Sequence, residues 1–169
     1  MNWYALLIGV VAMERLAEVV VAKRNQVWSQ AHGGVEFGAG HYPAMVALHM
    51  GLLAGCLFEA IMLHRPFIPA LGWPMLAIVL AAQALRWWCI ATLDRQWNTR
   101  VIVIPGAPRI SGGPYRFVPH PNYVAVIAEG VALPLVHTAW ITALVFSALN
   151  GWLLRTRVKV ENAALASLT

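Results

Sequence analysis

Residues 112–129 read GGPYRFVPHPNYVAVIAE, a turn-rich polar and aromatic segment that leads directly into an apolar helix. Pro121 suits the first position of that helix, because a proline there gives up no hydrogen bond. The backbone N–H groups of a helix start attract negative charge, and Arg116 and His120 flank them. The segment therefore predicts a site for an anionic or carboxylate-bearing ligand at the start of a helix.

The composition is typical of a membrane protein. Sixty per cent of the residues are hydrophobic, 11% are charged, and the mean hydropathy is +0.65. Soluble domains carry about a quarter charged residues. We therefore expect an integral membrane protein, and the length of 169 residues indicates one domain. The first apolar stretch carries Glu14, Arg15 and Glu18 in place of a small-residue cleavage site, so we expect no cleavable signal peptide.

Apolar stretches approach the roughly 20 residues that a helix needs to cross a bilayer. They predict five transmembrane helices, at about residues 3–21, 43–63, 72–93, 122–136 and 139–154. Only His137 and Thr138 separate the last two, so we predict that these form a helical hairpin. The expected fold is an all-α integral membrane protein with a long loop, 94–121, and a tail, 155–169.

The basic residues indicate how the chain is oriented. With five spans, one side of the membrane receives nine of them: Lys23, Arg24, Arg95, Arg100, Arg109, Arg116, Arg155, Arg157 and Lys159. The other side receives only Arg65. By the positive-inside rule, the N-terminus faces out, and the long loop and the tail are cytoplasmic. This asymmetry accounts for the net charge of +5, so no nucleic-acid partner is expected.

Ionisable side chains within apolar spans each cost roughly 2.5–3.5 kcal/mol and indicate either function or pairing. Arg86 and Glu129 should lie at similar depth below the cytoplasmic face, so they are predicted to pair or to line a ligand pocket. Arg15 and Glu18, three residues apart, are predicted to form a structural salt bridge or to serve function. Glu59, near Arg65, is interpreted as interfacial.

The last helix has one polar face that extends past the membrane. Its members recur at helical spacing: Asn150, Leu154, Arg157, Glu161 and Leu165. Taken alone, Arg157 and Glu161 fit either an ion pair on a solvated face or a binding site. Cys56 and Cys89 lie in apolar spans without metal-type spacing, and the histidines are scattered, so we expect no metal site.

The ordered motifs resemble the isoprenylcysteine carboxyl methyltransferase family, most closely its short bacterial five-span members. They are Leu93 to Trp97 with Arg100, Gly113 to Arg116, His120 to Tyr123, Glu129, Arg157 and Glu161. The resemblance implies S-adenosylmethionine bound on the cytoplasmic side, between the segment before the fourth helix and the end of the fifth. The cofactor-binding residues it implies are Tyr115, Arg116, His120, Pro121, Asn122, Tyr123, Arg157 and Glu161. Where the family usually has arginine before His-Pro, this chain has Pro119, and Arg116 is the candidate to compensate.

The resemblance implies a methyltransferase of the bacterial inner membrane. Its acceptor would be a carboxylate or a phenol or enol oxygen of a lipophilic molecule from the bilayer, such as an alkylresorcinol, alkylpyrone or prenylcysteine-like compound. Arg86 would orient an anionic substrate, and Glu129 or His120 would act as base for a phenol or enol. Two alternatives stay open: an NADPH-dependent sterol-reductase-like enzyme and a non-catalytic membrane scaffold. The oligomeric state is left open.

Overall fold

The computed structural model describes residues 2–168, which form five helices and two short strands. The helices are α1 (Asn2–Ala31), α2 (Tyr42–Met62), α3 (Pro69–Leu93), α4 (Pro121–Leu135) and α5 (Trp140–Leu168). The strands are β1 (Val35–Phe37) and β2 (Val101–Val103), and short 3-10 turns cover Ala39–His41, Asp94–Gln96 and Gly113–Arg116. The architecture is mostly helical, and the two strands are its departure from the all-α prediction.

Prolines explain why three helices begin close to their predicted starts. A proline occupies the first or second position of α2, α3 and α4, where it fixes a helical φ and loses no intrahelical bond. Helices α1 and α5 are longer than the predicted spans, which end at residues 21 and 154. Helix α1 ends where Gly33 takes a positive φ of 79° and Gly34 N–H bonds the Ser29 carbonyl at 2.8 Å.

Strands β1 and β2 join the first loop to the long loop. They pair antiparallel, with Val35 opposite Val103 and Phe37 opposite Val101. Strand β2 thus lies within the long loop, 94–121, that the sequence predicts between the third and fourth helices. Asn25 Nδ2, near the end of α1, donates to the carbonyls of Asp94 and Trp97, both at 2.8 Å. These loops therefore meet at one end of the helical bundle.

The opposite end of the bundle holds the start of α1 and the turn between α4 and α5. The Tyr4 hydroxyl donates to the Leu133 carbonyl at 3.0 Å. The Glu59 carboxylate, 3% exposed, accepts the N–H groups of Ile141 at 3.2 Å and Thr142 at 2.7 Å, so α2 caps α5. Arg65 also donates to this carboxylate at 3.0 Å, so Glu59 has a structural role beyond the interfacial position predicted for it.

The outward surface of the bundle is apolar. By length and composition, two helical stretches among the described residues could cross a membrane, Ala39–Met62 and Pro69–Gln96. Helix α1 also exposes one apolar face, formed by Leu6, Val10, Met13, Leu16 and Val20. An exposed apolar surface of this extent indicates apolar surroundings. Five spans and a hairpin of α4 and α5 stay predictions, although these two helices are consecutive and pack against each other.

Candidate functional site

A cavity of about 510 Å³ opens at the end of the bundle where the loops meet. Its volume lies within the roughly 300–1,000 Å³ of small-molecule sites. The long loop, the first turn of α4 and the last turns of α5 form its walls. The lining residues that carry polar side chains are Gln96, Asn98, Arg100, Arg109, Ser111, Tyr115, Arg116, His120, Asn122, Tyr123, Arg157 and Glu161.

Tyr123 connects the start of α4 to the extension of α5. Its hydroxyl donates to Glu161 Oε2 and accepts from Arg157 Nε at 3.0 Å. Arg157, 6% exposed, also donates to the Thr99 carbonyl and contacts the Met45 sulfur. The structure therefore places Arg157 and Glu161 against one phenol in a cavity wall, rather than on a solvated face.

His120 forms the second contact between these two helices. Its Nδ1 lies 3.5 Å from Glu161 Oε1, and its Nε2 lies 3.1 Å from Asn162 Oδ1. Its ring stacks on Tyr123, with centroids 5.3 Å apart. Because both ring nitrogens face oxygen acceptors, this arrangement favours the doubly protonated imidazolium.

The electrostatics of the pair agree with its geometry. The hydrogen bond to Glu161 raises the pKa of His120 above its ordinary value, although burial opposes the shift. Burial by itself would raise the pKa of Glu161, but hydrogen bonds from His120 and Tyr123 outweigh it and lower that pKa. Each residue therefore favours the charged form of the other, protonated His120 and anionic Glu161.

Seven of the eight predicted cofactor-binding residues line the cavity, and Pro121 lies buried at the start of α4. Arg116 is exposed, and its guanidinium lies 4.7 Å from the Phe117 ring centroid. The N–H groups of Tyr123 and Val124 both donate to the His120 carbonyl, so fewer donors remain for the anion site predicted at the helix start. Binding by these residues stays a prediction.

Sequence reasoning missed Asn98, Arg109 and Met45. Both amide atoms of Asn98 are buried without a hydrogen-bond partner, and so is Oδ1 of Asn122. Asn98 lies between Trp97 and Arg100, which were quoted as motif residues, so its position in the motif was an available signal. Met45 carries no such signal, because its contact with Arg157 spans 112 positions.

Arg86 and Glu129 form the predicted pair, but neither belongs to the cavity lining. Glu129 Oε2 lies 2.6 Å from Arg86 Nη2 and 2.6 Å from Arg15 Nη2. Glu18 completes the group, 2.6 Å from Arg15 and 3.5 Å from Arg86. Two cations and two anions thus join α1, α3 and α4, which gives Arg86 and Glu129 a structural role. Their catalytic roles stay predictions.

A helical bundle with an apolar surface is typical of a membrane protein, and this one has a cavity with polar side chains at one end. Residues 75–167 match the isoprenylcysteine carboxyl methyltransferase (ICMT) family, and the chain belongs to that family. The match includes every residue of the cavity lining, whereas Arg15, Glu18 and Met45 precede it. Members of the family are membrane methyltransferases that use S-adenosylmethionine as methyl donor.

Two bacterial proteins are similar over nearly their whole length. The uncharacterized protein YpbQ of Bacillus subtilis (strain 168) is 34% identical over 161 residues, which cover 95% of each chain. An uncharacterized protein of Haemophilus influenzae is 25% identical over 157 residues, which cover 91% of this chain and 90% of that one. No solved structure gives a significant match. Among the described residues, no group of three His, Cys, Asp or Glu side chains could hold a metal ion.

Proposed function

We propose that this protein is an S-adenosylmethionine-dependent O-methyltransferase that acts on a lipophilic molecule drawn from the membrane. One observation carries the proposal: Tyr123, His120, Arg157 and Glu161 bond one another in the wall of a polar cavity. These are residues that the family resemblance assigns to the cofactor. The helices beneath them are apolar and suit a lipid environment.

The donors and acceptors of the cavity fit this cofactor. Asn98 and Asn122 present amide atoms that lack protein partners. Arg109 and Arg116 add cationic side chains that could hold a carboxylate, and they offset the loss of charge at Pro119. A zwitterionic nucleoside offers partners to all of these groups, because it carries a carboxylate, an ammonium, hydroxyls and a base edge.

The ionisable residues favour an acceptor that is already anionic. When bound, the cofactor supplies a methyl group together with its own leaving group, so the protein has mainly to align an oxygen with that methyl and exclude water. A neutral phenol would need a base. Both ring nitrogens of His120 face oxygen acceptors, and Glu129 is bound by Arg15 and Arg86, so neither side chain is free to act as a base. A lipophilic carboxylate, or an enol acidic enough to ionise at neutral pH, therefore fits the site best.

An apolar groove between α2 and α5 suits the lipophilic part of this acceptor. The groove has a volume of about 650 Å³, and its walls are the side chains of residues such as Leu48, Leu52, Phe146, Leu149 and Leu153. It begins at Ala44, next to the Met45 sulfur that contacts Arg157. A hydrocarbon chain in this groove would have its polar end near the cavity wall.

The proposed arrangement in the membrane has five spans, with the N-terminus outside and the cavity on the cytoplasmic side of a bacterial inner membrane. The distribution of basic residues supports this orientation. The water-soluble methyl donor would then enter from the cytoplasm and the acceptor from the inner leaflet.

Calorimetric titration of the detergent-solubilised protein tests the proposal. We expect S-adenosylhomocysteine to bind and NADPH not to bind. Tyr123→Phe removes the hydrogen bonds of the hydroxyl to Glu161 and Arg157, and Glu161→Gln removes the charge that faces Tyr123 and His120. Each change should weaken binding of S-adenosylhomocysteine about tenfold or more. Tyr42→Phe is the matched control, because the Tyr42 hydroxyl contacts Thr99 at 3.4 Å outside the cavity lining. Binding of NADPH alone, or of neither compound, would refute the proposal.

Methyl transfer identifies the acceptor. Membrane lipid extracts incubated with the protein and labelled S-adenosylmethionine should yield a labelled, base-labile methyl ester or a methyl enol ether. Label confined to water-soluble products would contradict a lipophilic acceptor.

A further inference from the structure

Asn98 stands out among the described residues because both polar atoms of its side chain are buried without a partner. Each buried amide atom that lacks a hydrogen bond costs folding free energy, so most such atoms in proteins are satisfied. Asn98 is also one of the residues that line the cavity. The fold therefore places an unpaired amide in the cavity wall and supplies it with no partner of its own.

The backbone on either side of Asn98 is held in place. Asn25 Nδ2 donates to the Trp97 carbonyl at 2.8 Å, and Arg157 Nη2 donates to the Thr99 carbonyl. Trp97 itself is 3% exposed. The amide is thus presented from a fixed segment, which favours selective recognition over an adaptable surface contact.

The hydrogen-bonding chemistry of the Asn98 amide limits which functional group of a ligand can pair with both of its polar atoms. A carboxylate only accepts hydrogen bonds and an ammonium only donates them, so either would leave one atom of Asn98 unpaired. The edge of adenine places an amino donor beside a ring-nitrogen acceptor, and asparagine pairs with both at once. Leu93, Trp97 and Val101 also line the cavity near Asn98 in sequence, and their apolar surfaces suit a planar ring.

We propose that Asn98 is a specificity-determining residue that recognises the adenine of the nucleoside cofactor. This inference rests on the proposed function. Oδ1 accepts from the 6-amino group, and Nδ2 donates to the adjacent ring nitrogen. Asn98 thereby selects adenine over bases that lack this donor and acceptor pair.

The test compares S-adenosylhomocysteine with an analogue whose purine lacks the 6-amino group, by calorimetric titration of the full-length protein in detergent. Wild type should bind the analogue about tenfold or more weakly. In Asn98→Ala and Asn98→Leu, the two ligands should bind within about twofold of each other. Asn122→Ala is the matched control: it should weaken the binding of both ligands by the same factor and keep the preference of wild type for S-adenosylhomocysteine over the analogue.

Thermal unfolding without ligand gives a second readout. Because the Asn98 amide makes no protein hydrogen bond, Asn98→Leu should melt at the wild-type temperature or above it. A structural asparagine would instead lose stability on this change, and that result would overturn the proposal. With S-adenosylhomocysteine present, the ligand-induced rise in melting temperature should be smaller in Asn98→Leu than in wild type.

Failure of this inference is distinguishable from failure of the proposed function. If wild type binds S-adenosylhomocysteine and the analogue equally, or if Asn98→Ala still discriminates between them, Asn98 does not recognise the base, and the proposed function stands. If wild type binds neither compound, both proposals are wrong.

Discussion

Glu129→Gln separates a structural role for the buried ion network from a catalytic one. Glu129 is 3% exposed and lies 2.6 Å from the guanidinium nitrogens of both Arg15 and Arg86. The substitution keeps the shape of the side chain and removes its charge. Two arginines then share the single remaining anion, Glu18, in an apolar interior.

The expected loss of stability is large. Breaking a buried ion pair by removing one partner costs about 3–5 kcal/mol, and glutamine keeps one oxygen as an acceptor, so we expect about 3 kcal/mol. This lowers the ratio of folded to unfolded protein by about two orders of magnitude. Arg86→Gln in the same chain restores the charge balance, so the double variant should be more stable than the sum of the two single losses predicts.

Denaturant titration in mixed micelles measures these losses, with calorimetric binding of S-adenosylhomocysteine as a parallel readout. Glu14→Gln on α1 is the matched control, because Glu14 lies outside the network, and its effect should stay within about 0.5 kcal/mol. Where Glu129→Gln remains folded, binding should be near that of wild type. Wild-type stability combined with complete loss of methyl transfer would refute the structural role and make Glu129 a base.

Three further predictions concern the cavity wall and the helix packing. The difference in unfolding free energy between wild type and His120→Gln should be larger at pH 6 than at pH 9. The pKa of His120 is raised in the folded protein, so its contribution to stability is fully present below the unfolded pKa of about 6.5 and is lost as pH rises through the folded pKa. An equal difference at both pH values would contradict the ion pair with Glu161. Glu59→Ala should cost about 2 kcal/mol in thermal unfolding, since it removes the cap of α5; an unchanged melting temperature would show that the cap contributes nothing. Gly130→Ala should cost about 1–3 kcal/mol, because a Cβ there would clash with the buried ring of Phe146 in α5. Gly151→Ala, whose Cβ would meet no neighbouring side chain or helix, should be neutral or slightly stabilising, and equal effects of the two changes would contradict this packing.

Local signals predicted the features that depend on neighbouring residues. Pro121 was predicted as the first residue of α4, and helical spacing placed Arg157 and Glu161 on one face. The family resemblance assigned residues of the motif from Tyr115 to Tyr123 to the cofactor, and all of them but Pro121 line the cavity.

Features that depend on distant residues were not predictable in this way. Glu59 caps a helix that begins about 80 positions later, and Arg15 bonds a carboxylate 114 positions away. A strand of three residues is too short for its hydrophobic pattern to predict which strand it pairs with, so no local signal indicated the pairing of β1 with β2. The length of α1 was underestimated because charges end an apolar span but do not end a helix.

Helix α5 runs without interruption from its cap at Glu59 to the side chains of Arg157 and Glu161. At 1.5 Å per residue, its 29 residues form a rod about 43 Å long. A helix that spans a bilayer adjusts its tilt to the hydrocarbon thickness, and a continuous helix tilts as one unit. If residues 139–154 span the bilayer as predicted, a change in tilt of this rod would also move Glu161 relative to His120.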